Sequence, residues 1–145
     1  MVAKGKYPDT FYRVTAKAII KDGRRYVLCV WDPDGFWNLP GGGIDHGDTL
    51  REGLARELEE ELGYSGDFSM EYIDTLTYFS SRLDYSCMHI FFNVKLANYN
   101  NTVGADASKA EFIDPAQFKD ATNISHQFIY KYGYDQKFTI PFNEK

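Results

Sequence analysis

Features that mark secreted and membrane-spanning proteins are scarce in this sequence of 145 residues. Its two cysteines, Cys29 and Cys87, are too few for a disulfide framework and lack metal-ligand spacing. Because both lie in apolar, strand-like runs, we expect buried free thiols in a reducing compartment. No apolar run approaches the roughly 18 residues of a membrane-spanning helix, and residues 1–10 lack the apolar region of a signal peptide. A cytoplasmic location is the expectation.

Repeats, linkers and low-complexity tracts are also missing from the sequence. The length is that of one domain, which can bury a core without disulfide or metal cross-links. With 43% hydrophobic and 26% charged residues, the composition is ordinary for a folded chain. We therefore expect a single domain over residues 1–145.

An excess of basic residues is absent too, since the net charge is −5, and this argues against a general nucleic-acid binder. The negative charge is concentrated in one segment. Residues 45–61 hold seven acids against two bases, which accounts for the whole net charge. An acidic segment in an otherwise balanced chain is typical of a site for a divalent cation.

The order of the predicted elements is strands, helix, strands, helix, which indicates an α/β or α+β sheet with helices packed on it. The turn signal Asp22-Gly23 predicts a hairpin between the first two strands, and residues 40–43 read as a glycine-rich loop. The long helix begins at the capping box of Thr49 and Glu52 and ends at Gly63. A second helix is predicted to begin at residues 114–118. The predicted strands are 12–20, 26–31, 36–39, 72–79, 88–96 and 112–113.

The long helix separates its acids into two groups. At about 100° per residue, Glu57, Glu60 and Glu61 share one face, beside a buried stripe of leucines. Gly53 falls in the same sector and leaves the approach to the carboxylates open. Glu52 and Glu59 point to the opposite side and are interpreted as solvated surface.

Two interpretations of the three glutamates stay open on helix geometry alone. A glutamate-rich helix is commonly a charged surface. Carboxylates at the edge of a core repel one another unless a cation joins them, and oxygen ligands suit Mg²⁺ or Mn²⁺. The preceding run of three glycines lets the backbone approach a ligand closely and supply a carbonyl oxygen. The loop and the helix together favour a metal site.

At this point residues 42–64, GGIDHGDTLREGLARELEEELGY, resemble the Nudix box, G-x5-E-x7-R-E-U-x-E-E-x-G-U with U apolar. Asp48 stands where glutamate is usual, and Tyr64 takes the last apolar position. The lead-in WNLPGG of residues 37–42 is also similar to the approach to that box. The resemblance extends from Arg13 to about Phe118.

The resemblance implies an α/β/α sandwich around a central mixed β-sheet. It also implies a hydrolase that uses Mg²⁺ or Mn²⁺ to cleave a nucleoside diphosphate linked to another group. Position by position, the metal-binding carboxylates would be Glu57, Glu60 and Glu61, with the Gly41 carbonyl as a further ligand.

The resemblance also implies supporting roles. Arg56 would orient Glu57, and Asp48 would pair with Arg56. A downstream acid often assists in this family, and Glu111, or Asp106 in the preceding loop, could take that role. Which glutamate acts as general base is left open.

Candidate substrate contacts lie outside the box. Arg13 could meet a phosphate or be an edge-strand charge, and Trp37 and Tyr78 could stack on a nucleobase or belong to the core. The expected partner is a small nucleotide derivative, with no membrane and no nucleic acid, and a homodimer is left open. A ligand-sensing module of the same fold and a structural protein with an acidic surface are the alternatives to an enzyme.

Overall fold

The computed structural model describes residues 11–134 and 140–141. Its helices are α1, Leu50–Leu62, and α2, Ile124–Tyr134, with a short 3₁₀ helix at Pro115–Phe118. Residues 1–10, on which the localisation expectation partly rests, lie outside the described residues, so the single domain over 1–145 stays a prediction. The strands are β1 Tyr12–Ile19, β2 Val27–Asp32, β3 Phe36–Asn38, β4 Gly41–Gly43, β5 Phe68–Ser80, β6 Tyr85–Leu96, β7 Ala110–Ile113 and β8 Ile140–Pro141.

The strands form two sheets. The larger has the order β4-β1-β6-β5-β8 and is mixed, because β1 and β6 are parallel while its other pairs are antiparallel. The smaller sheet, β3-β2-β7, is antiparallel. None of the helices in residues 11–134 is long and apolar enough to cross a membrane.

The two helices cover opposite faces of the larger sheet, as the alternation of side chains along β1 requires. Ala16 and Ala18 pack in one core cluster with Leu54 and Leu58 of α1. Ile19, from the other face of β1, packs in the second cluster with residues of α2. The predicted α/β/α arrangement with a mixed sheet is confirmed.

The helix α1 is confirmed at both ends. The Thr49 hydroxyl accepts a hydrogen bond from the Glu52 N–H, and the Glu52 carboxylate accepts one from the Thr49 N–H. Gly63 ends the helix in the left-handed conformation, with φ of 66°. All of these signals lie within the helix segment itself, so they predict both ends of α1 without knowledge of the fold.

Two other local predictions are wrong, and a third is confirmed only in part. The hairpin between β1 and β2 is reduced to a single bridge between Lys21 and Val27, because the two strands belong to different sheets. Residues 41–43 are not a loop: they form β4, antiparallel to β1. A helix does begin with Pro115 at its first position, as predicted, but it is a short 3₁₀ helix that ends at Phe118, and the second α-helix begins at Ile124.

Candidate active site

The helix α1 places its carboxylates as its periodicity predicts. Glu57, Glu60 and Glu61 are partly buried, whereas Glu52 and Glu59 are exposed. The expectation for Gly53 is wrong, because Gly53 is buried and does not leave an open approach. A Cβ placed there would lie 2.5 Å from Cδ1 of Ile44, so the isoleucine covers this part of the helix.

Glu61 is held against the backbone of β4. Its Oε1 accepts a hydrogen bond of 2.8 Å from the Gly41 N–H. Burial raises the pKa of Glu61 to about 7, although the charge of Lys17 and this hydrogen bond both lower it; the charges of Glu57 and Glu60 raise it further. Glu61 is therefore a carboxyl group whose ionisation the site makes costly.

Glu57 lies against the next residue of the same strand. A Cβ built on Gly42 would stand 2.7 Å from both the carboxyl carbon and Oε1 of Glu57, so only glycine fits here. Burial, and then the charge of Glu60, raise the pKa of Glu57, while Lys17 lowers it. Two carboxylates of α1 are thus packed against the glycine strand.

Lys17 is a buried residue beside β4 that sequence reasoning missed. It lies on β1 directly opposite Gly41, and the residue is 8% exposed. Its Nζ donates to the carbonyl oxygens of Gly41, at 3.3 Å, and Leu39, at 3.4 Å. Burial lowers the pKa of Lys17, and the charges of Glu61 and Glu57 oppose that shift. The available signal was a lysine between two alanines in an apolar strand.

Arg56 ties the loop after β4 to α1. It donates to Oδ2 of Asp48 at 2.5 Å, reaches the Gly43 carbonyl at 3.4 Å, and forms an ion pair of 3.4 Å with Asp45. The hydrogen bond to Asp48 raises the pKa of Arg56. The expected contact between Asp48 and Arg56 is present, and the charge of Arg56 also lowers the pKa of Glu57.

Arg13 lies at the same loop. Its guanidinium donates to the Ile44 carbonyl at 2.8 Å and pairs with Asp45 at 3.9 Å. A Cβ on Gly43 would overlap its Nη2, so the side chain of Arg13 lies over this glycine. The structure therefore brings Arg13 and Arg56 to a common partner, Asp45.

Trp37 and Tyr78 lie on different strands and both pack against the core cluster that includes α2. The Trp37 ring is edge-on to Trp31, with centroids 5.0 Å apart, and its backbone N–H donates to Nε2 of His126. The Tyr78 hydroxyl bonds to Nε2 of His89 at 3.0 Å. Both rings already have packing partners, so a role in base stacking stays a prediction.

The two candidate downstream acids have different surroundings. Asp106 donates its N–H to the Glu60 carbonyl at 2.8 Å, and its charge raises the pKa of Glu57. Glu111 is exposed on β7, opposite Cys29. Burial raises the pKa of Cys29, and the charge of Glu111 raises it further. A role at the metal site, for Asp106 or for Glu111, stays a prediction.

The donor set of the site is suited to a hard divalent cation. Within residues 11–134 and 140–141, no three histidine, cysteine, aspartate or glutamate side chains already converge on one point that could hold a metal. The chemistry nevertheless fits. The charge of Glu57 raises the pKa of the partly buried Glu61, and Glu61 is bonded to the N–H of Gly41, the residue whose carbonyl is the expected further oxygen donor. Because Gly42 has no side chain, the Glu57 carboxylate lies against the backbone of β4 without steric conflict.

Comparisons with known proteins agree with this fold and site. A family model described as NUDIX domain matches residues 11–132. A NUDIX hydrolase from Nitrosomonas europaea superposes with a TM-score of 0.71 at 18% identity, over 90% of this chain and 93% of that one. The chain therefore belongs to the NUDIX family, a class of hydrolases that act on pyrophosphate bonds. The resemblance and its implied fold are confirmed.

Relatives at higher identity match only in part. An RNA pyrophosphohydrolase from Erythrobacter litoralis is 54% identical over 67 residues, 43% of this chain and 41% of the relative. The nucleoside triphosphatase NudI from an Enterobacter species is 44% identical over 50 residues, 31% of this chain and 36% of the relative. The matches thus span about two fifths or less of these relatives.

Proposed function

We propose that this chain is a divalent-cation-dependent pyrophosphohydrolase that cleaves a nucleoside diphosphate linked to another group, by attack of water at phosphorus. The packing of β4 against the carboxylate face of α1 carries the proposal. There the Gly41 N–H donates a hydrogen bond to Glu61, and the Glu57 carboxylate occupies the space that a side chain at position 42 would fill. Carboxylates that are kept partly buried beside a backbone carbonyl are suited to bind a cation.

Glu57, Glu60 and Glu61 would hold Mg²⁺ or Mn²⁺ through their carboxylates, and Gly41 through its carbonyl. Bound there, the cation would neutralise the charge of the diphosphate and lower the pKa of water. One of the three carboxylates accepts the proton that the attacking water loses.

Arg56 is a positioning residue in this mechanism. Its guanidinium donates to Asp48, in the loop after β4, and to the carbonyl of Gly43, at the end of β4. In the helix, Arg56 directly precedes Glu57. These contacts fix the loop relative to the helix, and so they keep β4 packed against the carboxylates of Glu57 and Glu61. Productive geometry of this kind matters, because small misplacements of reacting groups cost large factors in rate.

Substrate recognition is proposed for Arg13, Trp37 and Tyr78. The Arg13 guanidinium lies at the loop of the glutamate site, where it could donate to a phosphate oxygen. The aromatic rings of Trp37 and Tyr78 offer surfaces for a nucleobase. Since the relatives are named as acting on RNA and nucleoside triphosphates, these substrates head the list for testing.

The test is product release across a panel in Mg²⁺ and then in Mn²⁺, with products identified by mass. The panel holds 5′-triphosphorylated RNA, nucleoside triphosphates, ADP-ribose, nucleotide sugars, NADH and diadenosine polyphosphates. Glu61→Gln is the inactive comparison and Glu59→Gln, exposed on the far side of α1, is the matched control. Cleavage by the wild type and by the control, and not by Glu61→Gln, supports the proposal.

A ligand-sensing module of the same fold is the outcome that would replace the enzyme. In that case the wild type would bind divalent cation and nucleotide but release no product from any member of the panel. An acidic surface helix without a site would bind neither.

A further inference from the structure

Two tryptophans and one lysine meet on the smaller sheet, outside the glutamate face of α1. We propose that Trp31, Trp37 and Lys109 bind one nucleotide, whose base stacks on the indole rings and whose phosphate pairs with the lysine. We call these three residues the indole site. Assigning that nucleotide to the substrate rests on the proposed function, whereas its binding requires neither metal nor turnover.

Register in the β2–β3 pair places the two tryptophans side by side. Trp31 is the partner of Trp37, and the rings meet edge to face, with centroids 5.0 Å apart and planes at 76°. Both residues are half-buried, so each ring packs on the protein and keeps a part of its surface accessible. Two aromatic walls of this kind offer an apolar surface on which a nucleobase of any identity can stack.

Lys109 lies over both rings. This exposed residue directly precedes β7, and its carbonyl accepts a hydrogen bond of 3.0 Å from the Trp31 N–H. Its Nζ lies 4.5 Å from the ring centroid of Trp31 and 5.0 Å from that of Trp37. Within residues 11–134 and 140–141, these two cation–π contacts are the only partners of the ammonium. A positive charge without a carboxylate partner is therefore held beside two aromatic rings.

The lysine can give way to a base. A cation–π contact at an exposed site contributes less than the stacking of a nucleobase on an aromatic side chain. The displaced ammonium stays near the rings on its flexible four-carbon side chain, where it can donate a charge-assisted hydrogen bond to the phosphate of the same nucleotide. A base without a phosphate, or a phosphate without a base, would use only one part of the site.

The chain connects the indole site to the glutamate site at two points. Trp37 precedes Gly41 by four residues and Lys109 follows Asp106 by three, so the Cα atoms of neither pair are more than about 14 Å apart. Gly41 and Asp106 each donate their N–H to a glutamate of α1. A nucleotide that carries a chain of phosphates therefore reaches from the rings toward the carboxylates.

Tryptophan fluorescence reports on this site directly, because the chain has only two tryptophans and both belong to it. The wild type is titrated in chelator with AMP, adenosine and ribose 5-phosphate, and N-acetyltryptophanamide corrects for absorbed light. We expect saturable quenching by AMP, weaker binding of adenosine and no quenching by ribose 5-phosphate. Fluorescence that AMP leaves unchanged, or equal Kd values for AMP and adenosine, would overturn the site.

Lys109→Met removes the positive charge and keeps an apolar side chain over the rings. AMP should bind this variant about tenfold more weakly, with a Kd close to that of adenosine, because the phosphate has lost its partner. Lys131→Met is the matched control, since Lys131 is also exposed and lies over an aromatic ring, 5.2 Å from the centroid of Tyr132, but on α2. Its Kd for AMP should equal that of the wild type. An unchanged Kd in Lys109→Met would overturn the role of the lysine.

A 5′-phosphorylated dinucleotide distinguishes two sources of the same chemistry. Tighter binding of the dinucleotide than of AMP identifies the end of an RNA as the ligand, and equal binding identifies a free nucleotide. Either result supports the site. A dinucleotide that fails to quench the fluorescence while AMP quenches it identifies the free nucleotide as well.

Steady-state kinetics connects the indole site to the substrate that the panel identifies. Lys109→Met should raise KM by about tenfold and keep kcat within about twofold of the wild type, because the contact is the same in the ground state and the transition state. A lower kcat with an unchanged KM would overturn the binding role. If the wild type releases no product but AMP still quenches its fluorescence, the proposed enzyme is wrong and the indole site stands. Product release without quenching by AMP overturns the indole site alone.

Discussion

Arg56 and Asp48 join the two ends of the loop-helix element, with Nη1 of the arginine 2.5 Å from Oδ2 of the aspartate. Both side chains are only partly exposed, 33% and 23%, so solvent screens this pair less than a surface pair. The same guanidinium reaches the Gly43 carbonyl. The pair therefore holds the end of β4 where the Gly41 and Gly42 backbone meets the carboxylates.

Asp48→Asn is expected to weaken this element. Loss of the charge-assisted hydrogen bond should lower the free energy of unfolding by about 1 kcal/mol and reduce turnover, because the glycine strand is less firmly placed. Asp34→Asn is the matched control, since it breaks an ion pair with Arg82 that is 2.7 Å long but about 60% exposed on both sides. Its effect on stability should stay below about 0.5 kcal/mol. Urea unfolding and steady-state kinetics check both variants, and equal effects would contradict the role of Asp48.

Elements with local signals could be predicted from the sequence. The helix α1 carries its start, its stop and its buried face within fifteen residues, so Thr49, Gly63 and the leucine stripe were sufficient. The division of the acids into a partly buried group and an exposed group was correct for the same reason, because the spacing of residues along a helix determines which face each side chain lies on.

Features that depend on long-range pairing could not be predicted in this way. Glycines have little preference for strands, and residues 41–43 form β4 only because β1 pairs with them. The turn signal after β1 predicts a reversal of the chain, but it does not determine which sheet the next strand joins. Lys17 and Gly41 are 24 residues apart, so nothing local links the ammonium to the glutamates. The helix α2 was missed because apolar residues also lie on its exposed side. Phe128, Ile129 and Tyr132 are buried at helical spacing, but Ile124 and Tyr134 are exposed and obscure that pattern.

Glu60→Gln is expected to abolish turnover while the protein stays folded. The substitution removes one charge from three crowded carboxylates, so stability without metal should be unchanged or increased. Glu59→Gln, one residue away but exposed, is the control and should retain both activity and stability. Kinetics with the best substrate of the panel, together with thermal unfolding in chelator, test this. Retained activity in Glu60→Gln would overturn the assignment of Glu60.

Gly42→Ala tests the close approach of strand and carboxylate. The added Cβ would stand 2.7 Å from the Glu57 carboxyl group, so this side chain has to move. If Glu57 has its proposed role at the metal, displacing its carboxylate by about 1 Å is expected to reduce kcat by tenfold or more, with a stability loss near 1 kcal/mol. Gly23→Ala is the control, because nothing lies within 4 Å of its added Cβ. If Gly42→Ala keeps full activity, Glu57 does not need its place beside the strand.

His89 makes the stability depend on pH. It is 7% exposed, with hydrogen bonds to the hydroxyls of Thr15 and Tyr78, and burial lowers its pKa from 6.5 to about 4. The unfolded chain therefore binds this proton more readily, so the contribution of neutral His89 is complete above about pH 6.5 and is lost as the pH falls toward 4. The difference between the pKa of His89 in the unfolded chain and in the folded protein corresponds to at most roughly 3 kcal/mol of the free energy of unfolding.

His89→Gln should consequently cost stability at pH 7.5, where packing against Phe91 and Phe128 is lost, and cost much less at pH 4.5. Urea unfolding of both proteins at pH 4.5, 5.5 and 7.5 gives the difference directly. His46→Gln, in the exposed loop before α1, is the control for the substitution itself and should be as stable as the wild type at pH 7.5. A difference between His89→Gln and wild type that stays constant from pH 7.5 to 4.5 would mean that His89 takes up its proton equally in the folded and unfolded chains.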